Sequence, residues 1–300
     1  MTLFRLVVFS GSRYTPRTMI ALRTALPKPA LREFVRVFAQ REVHPFESGA
    51  LFVFEPIPAR LEQMLEFQFG VPYSVHHLAG YELTTPRQAI IGAQVGSSQI
   101  ELRPGVISFG IFFRPAGLSR LFGIPLHEIT HRSYDAASVS NPIISIRDRA
   151  AECVTFEERV RVIEGFLIEM AARAAGKETM LAVAERVFSL RGVVSSVSEL
   201  AGKTGLGVRQ FERQFLRTVG MPPKLYARIA RFQSALDMKI ASPERAWAEI
   251  AQSLRYHDQM HMIRDFQLLG GDTPRQLLSQ IGDARPGALE PESSPEKIVS

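Results

Sequence analysis

Two segments in the last third of the chain carry the same order of residues, and this repeat limits the fold more than any other feature. Each segment has a short apolar helix pattern, a turn, a second helix pattern with basic residues, and then Gly and Pro. Leu200-Ala201 corresponds to Ile250-Ala251 at an offset of 50 residues. With one residue inserted in the second turn, an offset of 51 relates Phe211, Arg213, Phe215, Gly220 and Pro223 to Met262, Arg264, Phe266, Gly271 and Pro274. We therefore expect two similar helical units.

The first unit has the pattern of two helices joined by a tight turn. Gly205 can take the positive φ of such a turn, and the second helix is predicted to begin near Val208. Phe211, Phe215 and Val219 are four residues apart, so one face of this helix is predicted to be buried. Arginine can bond guanine with two donors and glutamine can bond adenine, so the other face suits a DNA major groove, although a solvated helix would also carry charges. That face holds Arg209, Gln210, Glu212, Arg213 and Gln214.

The segment between the two units predicts a rigid spacer. Pro222-Pro223 begin a helix pattern with apolar residues at steps of four and three. Such a spacer can set two helices in successive major grooves, about 34 Å apart. Residues 185–282 hold 14 Lys and Arg against 9 Asp and Glu, which is +5 of the formal charge of +6. This asymmetry favours a phosphate backbone as the partner.

The segments LAGKTGLGVRQFERQFLRTVGMPPKLY and IAQSLRYHDQMHMIRDFQLLGGDTPRQL resemble the two helix-turn-helix units of the AraC/XylS family of transcriptional regulators. The resemblance covers about 90 residues. It implies an all-helical domain with recognition helices at about 208–219 and 258–269. Together with the pattern of the exposed face, it implies DNA contacts by Arg209, Gln210, Glu212, Arg213, Gln259, Met260 and Arg264.

Two positions depart from the family pattern. Gly207 stands where the family usually has a serine that caps the recognition helix, and this change costs a few tenths of a kcal/mol. Arg255 stands where the second turn usually has glycine, and a non-glycine residue at positive φ costs about 1 kcal/mol. Neither change is expected to prevent folding.

The N-terminal half has the sequence pattern of a β-rich domain. From Pro27 to about Ser140, short apolar runs alternate with turn residues, which predicts a small sandwich or barrel with helical additions. Those runs are residues 49–54, 89–92, 99–102 and 105–113. The sequence segments 92–94, 110–115 and 121–128 are similar to the sensor domain fused to some members of the family. The similarity implies a domain that binds a small effector or mediates pairing.

A helix is predicted after Thr155, because Thr155 and Glu158 have the spacing of a capping box. Its apolar stripe packs either on its own β domain or in a dimer seam, and periodicity does not choose between them. The stripe consists of Phe156, Val160, Ile163, Leu167 and Met170. A further helix is predicted from Lys177 to Leu190.

The sequence thus predicts an α+β chain with four parts. These are an N-terminal extension (1–26), a β-rich sensor or dimerisation domain (27–175), a DNA-binding domain (177–282) and a disordered tail rich in Pro, Ser and Glu (283–300).

One motif points to a different class of protein. His127-Glu128-Ile-Thr-His131 reads as H-E-x-x-H, which on a helix places two imidazoles for zinc and a glutamate for a metal-bound water. Gly123 and Pro125 stand directly before it, so we expect a short surface helix that begins at Pro125 rather than a metal site. The adjacent His76 and His77 would point to opposite faces of a strand.

We therefore expect a cytoplasmic regulator that is not an enzyme and that uses no cofactor or metal. Its expected partners are promoter DNA, a small-molecule effector, the transcription machinery and a second copy of the chain. No apolar run reaches the ~20 residues of a membrane span. Cys153, the single cysteine, is expected to be buried and unpaired. The alternatives are a metal-dependent hydrolase using His127, Glu128 and His131, and an N-terminal domain that dimerises without a ligand.

Overall fold

The computed structural model describes residues 4–8, 20–46, 49–77, 82–138, 141–173 and 196–281. A β-rich part precedes a helical part, which confirms the predicted α+β class. Among these residues, none of the helices is long and apolar enough to span a membrane. The predicted helix 177–190, the domain boundary near residue 176 and the tail 283–300 lie outside the described residues.

The larger sheet has seven antiparallel strands in the order β1-β2-β3-β10-β5-β8-β11. They span Phe4–Val8 (β1), Ile20–Ala25 (β2), Val35–Val43 (β3), Met64–Gln68 (β5), Gln88–Ile91 (β8), Ile107–Phe113 (β10) and Ser133–Asp135 (β11). Strands β1 and β2 fall within the predicted N-terminal extension. Because β2 pairs with β3 from Ile20↔Val43 to Ala25↔Phe38, the sheet crosses the predicted boundary at residue 27.

The second sheet has four strands in the order β4-β9-β6-β7. They span Val53–Ile57 (β4), Ser74–His77 (β6), Glu82–Thr84 (β7) and Ser98–Leu102 (β9). The strand predicted at 49–54 begins later, at Val53, because Gly49 turns the chain with φ +71° and Leu51 is exposed. The other three predicted runs coincide with β8, β9 and β10. A small core between the two sheets contains Val43, Val53, Tyr73, Ile100 and Val106.

Four helices cover one face of the seven-stranded sheet: Gly117–Phe122 (α1), Leu126–Ile129 (α2), Asn141–Ala151 (α3) and Phe156–Arg173 (α4). The predicted capping box is present, with Glu158 N donating to Thr155 Oγ1 at 3.2 Å and Thr155 N donating to Glu158 at 3.1 Å. The stripe of α4 packs into the core of the β-rich part. Of the two alternatives, the structure therefore favours packing on its own domain. Cys153 is free but only half-buried, because it lies in the loop between α3 and α4.

The C-terminal part consists of six helices in the described range 196–281. They are Val197–Gly202 (α5), Val208–Val219 (α6), Pro223–Ala241 (α7), Trp247–Ser253 (α8), Gln259–Gly270 (α9) and Pro274–Ile281 (α10). They share one core, in which Ile229, Phe232 and Leu236 of the spacer helix α7 are buried. Helix α6 has the predicted bounds, and α9 begins one residue later than predicted.

Candidate DNA interface

Helix α6 is held by its apolar face. Phe211, Phe215 and Val219 are buried, and the ring of Phe215 packs edge-on against Tyr226 of α7 at 5.5 Å. Gly207 stands at the N-terminal cap with no side-chain hydrogen bond, as expected from its lack of a side chain. The turn before α6 contains Gly205 with φ +69°, which confirms the predicted role of this residue.

Helix α9 repeats this arrangement with a stronger cap. Asp258 accepts a hydrogen bond of 2.6 Å from the backbone N–H of His261, and this bond lowers the pKa of the Asp258 carboxyl. Phe266 packs against Phe232 at 4.9 Å and Trp247 at 5.4 Å. Arg255 has φ +53°, so this residue does occupy a backbone conformation that favours glycine.

An ion pair with a buried carboxylate fixes α9 to the spacer helix. Arg228 of α7 donates to Oδ1 of Asp265 at 2.7 Å, and the Asp265 side chain is fully buried. Such a pair restricts rotation of α9 about its axis, because a rotated helix would leave the carboxylate buried without a partner. The exposed face of α9 therefore has a defined direction.

The seven residues predicted to contact DNA are all exposed on these two helices. Arg213 and Arg264 project from the faces opposite the buried phenylalanines, and the side chain of Met260 is 55% exposed. Within the described residues, no hydrogen bond or ion pair engages the guanidinium groups of Arg209, Arg213 and Arg264. Their donors are thus available to an external acceptor such as a base or a phosphate.

Residues 200–280 match the family model of a helix-turn-helix domain. The chain thus carries a helix-turn-helix DNA-binding domain of the AraC type. Residues 23–135 match a second family model, described as a domain of unknown function (DUF6597). No protein of curated function matches the chain by sequence.

Solved structures similar to this chain share little sequence with it. One is apo ToxT from Vibrio cholerae strain SCE256, with 8% identity, a TM-score of 0.46, and coverage of 90% of this chain and 100% of that one. Another is the AraC-like transcriptional activator CuxR, with 12% identity, a TM-score of 0.33, and coverage of 78% of this chain and 86% of that one.

The H-E-x-x-H segment does not form the helix that its spacing suggests. Helix α2 ends at Ile129, and His131 lies beyond it with φ +58°, so the two histidines are not on one helical face. The helix begins at Leu126, one residue after the predicted Pro125. In the described part of the chain, no three His, Cys, Asp or Glu side chains are grouped as metal ligands. The side chain of His76 contacts Glu101, whereas the side chain of His77 contacts Ser98.

Sequence analysis missed the contacts between the β-rich part and the two helix-turn-helix units. Thr130 donates to the carbonyl of Gly220, the residue that ends α6, at 2.6 Å. Ala59 N donates to the carbonyl of Leu269, near the end of α9, at 2.7 Å. A Cβ added at Gly271, the residue after α9, would lie 2.8 Å from Ser97 Oγ. No sequence signal links these residues, which are far apart along the chain.

A second group of contacts joins the β-rich part to the spacer helix. Gln233 of α7 donates to Glu62 at 3.0 Å and accepts from Leu61 N at 3.3 Å. Ala59, Leu61 and Ala93 are buried in the same core as the helical part. The segment 59–62 therefore contacts both α7 and α9.

Proposed function

We propose that α6 and α9 enter successive major grooves of a promoter and read its sequence. The observation that carries this proposal is the repeated geometry of the two helices. Each buries one face in a shared core and presents free polar side chains on the other. Helix-turn-helix proteins place the N-terminal residues of the recognition helix against base edges. Here those residues are Arg209 and Gln210 on α6, and Gln259 and Met260 on α9.

In our proposal, the β-rich domain controls DNA recognition by α6 and α9. Its contacts reach the C-terminal ends of α6 and α9, at Gly220 and Leu269, whereas DNA would meet the N-terminal ends. The domain can therefore change the distance and orientation between the two helices without covering the faces proposed to contact DNA. We further propose that the regulator acts as a homodimer and contacts the transcription machinery from its promoter site.

The alternative function, a metal-dependent hydrolase, has little support in the geometry. Its three residues would need a helix that carries both histidines on one face. His131 follows the end of α2 in a left-handed conformation instead. We propose that the chain has no hydrolase activity.

Selection of bound sites from random duplex DNA by the full chain tests the proposal. We expect one enriched motif with two half-sites about one helical turn apart, and an affinity that falls with salt by close to −0.9 in log–log slope per phosphate contact. Arg32→Ala, at an exposed position of the β-rich domain, is the matched control and should leave binding unchanged. A chain that is folded but enriches no motif at low salt contradicts the proposal.

A further inference from the structure

Two histidines from distant parts of the chain lie side by side in the β-rich domain. His77 is the last residue of β6, and His131 follows the end of α2. Their ring centroids are 5.6 Å apart, and the ring planes cross at 79°. Both side chains are half-buried, so a positive charge on either ring would be poorly solvated.

His131 is one residue away from the contact with the end of α6. The hydroxyl of Thr130 donates to the carbonyl oxygen of Gly220 at 2.6 Å. The backbone N–H of His131 donates to the carbonyl oxygen of Ala93 at 2.8 Å, and Ala93 is buried in the core of the helical part. A displacement of His131 therefore acts directly on residues that contact the helical part.

His77 is linked in the same way to the contact with the end of α9. Its Nδ1 lies 3.0 Å from Oγ of Ser98, which belongs to the neighbouring strand β9. The preceding residue, Ser97, lies against Gly271, where an added Cβ would be 2.8 Å from the Ser97 Oγ. The two adjacent rings are thus connected, through one residue each, to the contacts at the ends of α6 and α9.

Protonation of His131 would create a buried donor without an acceptor. Nδ1 of this ring is buried and forms no hydrogen bond with any residue that the structure describes. In the neutral ring this nitrogen can lack a proton, whereas in the charged ring both nitrogens are donors. Burial lowers the pKa of His131, and burial followed by the charge of His131 lowers the pKa of His77. The folded chain therefore keeps both rings neutral at neutral pH.

The other charged groups on the surrounding elements have partners of their own or face solvent. Glu101 of β9 pairs with Arg103 and with His76, which points to the opposite face of β6 from His77. When His77 and His131 are both charged, they repel each other across 5.6 Å. Two further carboxylates have partners: Glu55 of β4 pairs with Arg41, and Asp272 after α9 accepts from Thr273 N and Gln280. The exposed groups are Glu82 of β7, His127 and Glu128 of α2, Arg132, Asp135 of β11 and Arg217 of α6.

We propose that His77 and His131 form an acid-sensitive switch for DNA binding. When the rings take up protons, they separate, because they repel each other and the Nδ1–H of His131 needs an acceptor. Their separation weakens the contacts of Thr130 with Gly220 and of Ser97 with Gly271. The inference rests on the proposed function, because α6 and α9 must bind DNA for the switch to act on it.

The switch gives DNA binding a definite sign of pH dependence. A site selected at pH 7.5 fits the arrangement of α6 and α9 that the neutral rings hold. Mild acid should therefore weaken binding to that site, and by linkage DNA should oppose proton uptake by the two rings. His257 and His261 act in the opposite direction, because their protonation near the N-terminus of α9 attracts any DNA. The test must separate these two effects.

The affinity of the full chain for its selected duplex, measured at pH 7.5 and 5.5 at constant ionic strength, tests the proposal. The reference is the double variant His77→Gln/His131→Asn, in which asparagine tolerates the positive φ of residue 131. The affinity of the wild type relative to this variant should fall about 5- to 10-fold between the two pH values, at the lower end of allosteric couplings. His76→Gln, on the opposite face of the same strand, is the matched control and should show the same fall as the wild type.

Hydrogen exchange of the wild type without DNA tests the structural step and serves if the double variant does not fold. Protection of the His131 amide, corrected for the intrinsic effect of pH, should be lower at pH 5.5 than at pH 7.5. Protection of Phe211 and Phe215, in the middle of α6, should change little. His76→Gln should show the same loss of protection at His131.

Three results would overturn the proposal: equal pH dependence of binding in the wild type and the double variant, unchanged protection of the His131 amide, or loss of the pH effect in His76→Gln. Failure of the chain to select any DNA motif contradicts the proposed function, whereas the exchange of the His131 amide still reports on the switch. A selected motif without the pH effect contradicts this inference alone.

Discussion

The hydroxyl of Thr130 donates a hydrogen bond to the carbonyl oxygen of Gly220, over 2.6 Å, and so joins the β-rich domain to the end of helix α6. Gly220 has φ +94°, and a Cβ added there would lie 2.8 Å from Thr130 Oγ1 and 2.9 Å from the carbonyl oxygen of Leu126. The junction therefore leaves no room for a side chain at this position.

Gly220→Ala should lower the free energy of unfolding by about 2 to 4 kcal/mol, because the strain of a positive φ adds to the clash with Thr130 and Leu126. Gly205→Ala is the matched control: its φ is +69°, but an added Cβ meets no atom within 4 Å. It should lose only about 1 kcal/mol. Urea denaturation of both variants measures the difference, and equal losses would show that the junction is not tight.

Arg213→Ala should reduce base specificity more than Arg264→Ala. Arg213 shares its exposed face with Arg209, Gln210 and Gln214, whereas the face of Arg264 includes Met260. If Arg213 bonds a guanine with two donors, its loss should cost about 1 to 3 kcal/mol at one base pair and leave non-specific binding nearly unchanged. Competition with single-base variants of the selected site measures this. Equal weakening on every DNA would identify Arg213 as a phosphate contact, and a larger effect of Arg264→Ala would reverse the ranking.

Arg36→Met should lower the free energy of unfolding by about 3 kcal/mol, because it leaves the Glu62 carboxylate buried without its ion-pair partner. Arg32→Met makes the same substitution at an exposed position and should leave the free energy of unfolding nearly unchanged. Urea denaturation of the two variants measures the difference, and equal losses would show that the pair of Arg36 and Glu62 does not stabilise the fold.

Stability should fall as the pH drops below about 6.5, in part because of His77 and His131. Their rings lie 5.6 Å apart, and burial lowers both pKa values from 6.5, with the charge of His131 also acting on His77. At pH values between the lowered pKa values and 6.5, the unfolded chain therefore binds more protons than the folded chain. The stability that the two neutral histidines contribute is fully present above pH 6.5 and is lost as the pH falls through that range.

The free energies of unfolding at pH 7.5 and 5.5, compared between the wild type and His77→Gln, isolate this contribution. The decrease should be smaller in His77→Gln, because this variant has one fewer imidazole to protonate. A decrease of the same size in both chains would rule out this histidine as a cause.

The helical units could be predicted from the sequence because their signals are local. The spacing of Phe211, Phe215 and Val219 determines which face of α6 is buried, and Gly205 marks the turn. The exposed residues follow from the same spacing. Asp258 was not singled out as a cap, although an aspartate directly before a helix is a common N-terminal signal.

The contacts between the domains could not be predicted in the same way. Thr130 and Gly220 are separated by 90 positions, and neither has a sequence pattern that points to the other. The strands β1 and β2 were missed because their register depends on strand pairing, of β1 with β2 and of β2 with β3.

The repeat in the helical part places two equivalent glycines against the β-rich domain. Gly220 and Gly271 occupy the same position in the repeat, and each lies against a hydroxyl-bearing residue of the β-rich domain, Thr130 and Ser97. Because the β-rich domain contacts the ends of both α6 and α9, it helps to set the distance between these two helices. If the two helices read DNA as proposed, the length of DNA between the half-sites that this protein accepts depends on the β-rich domain as much as on the spacer helix.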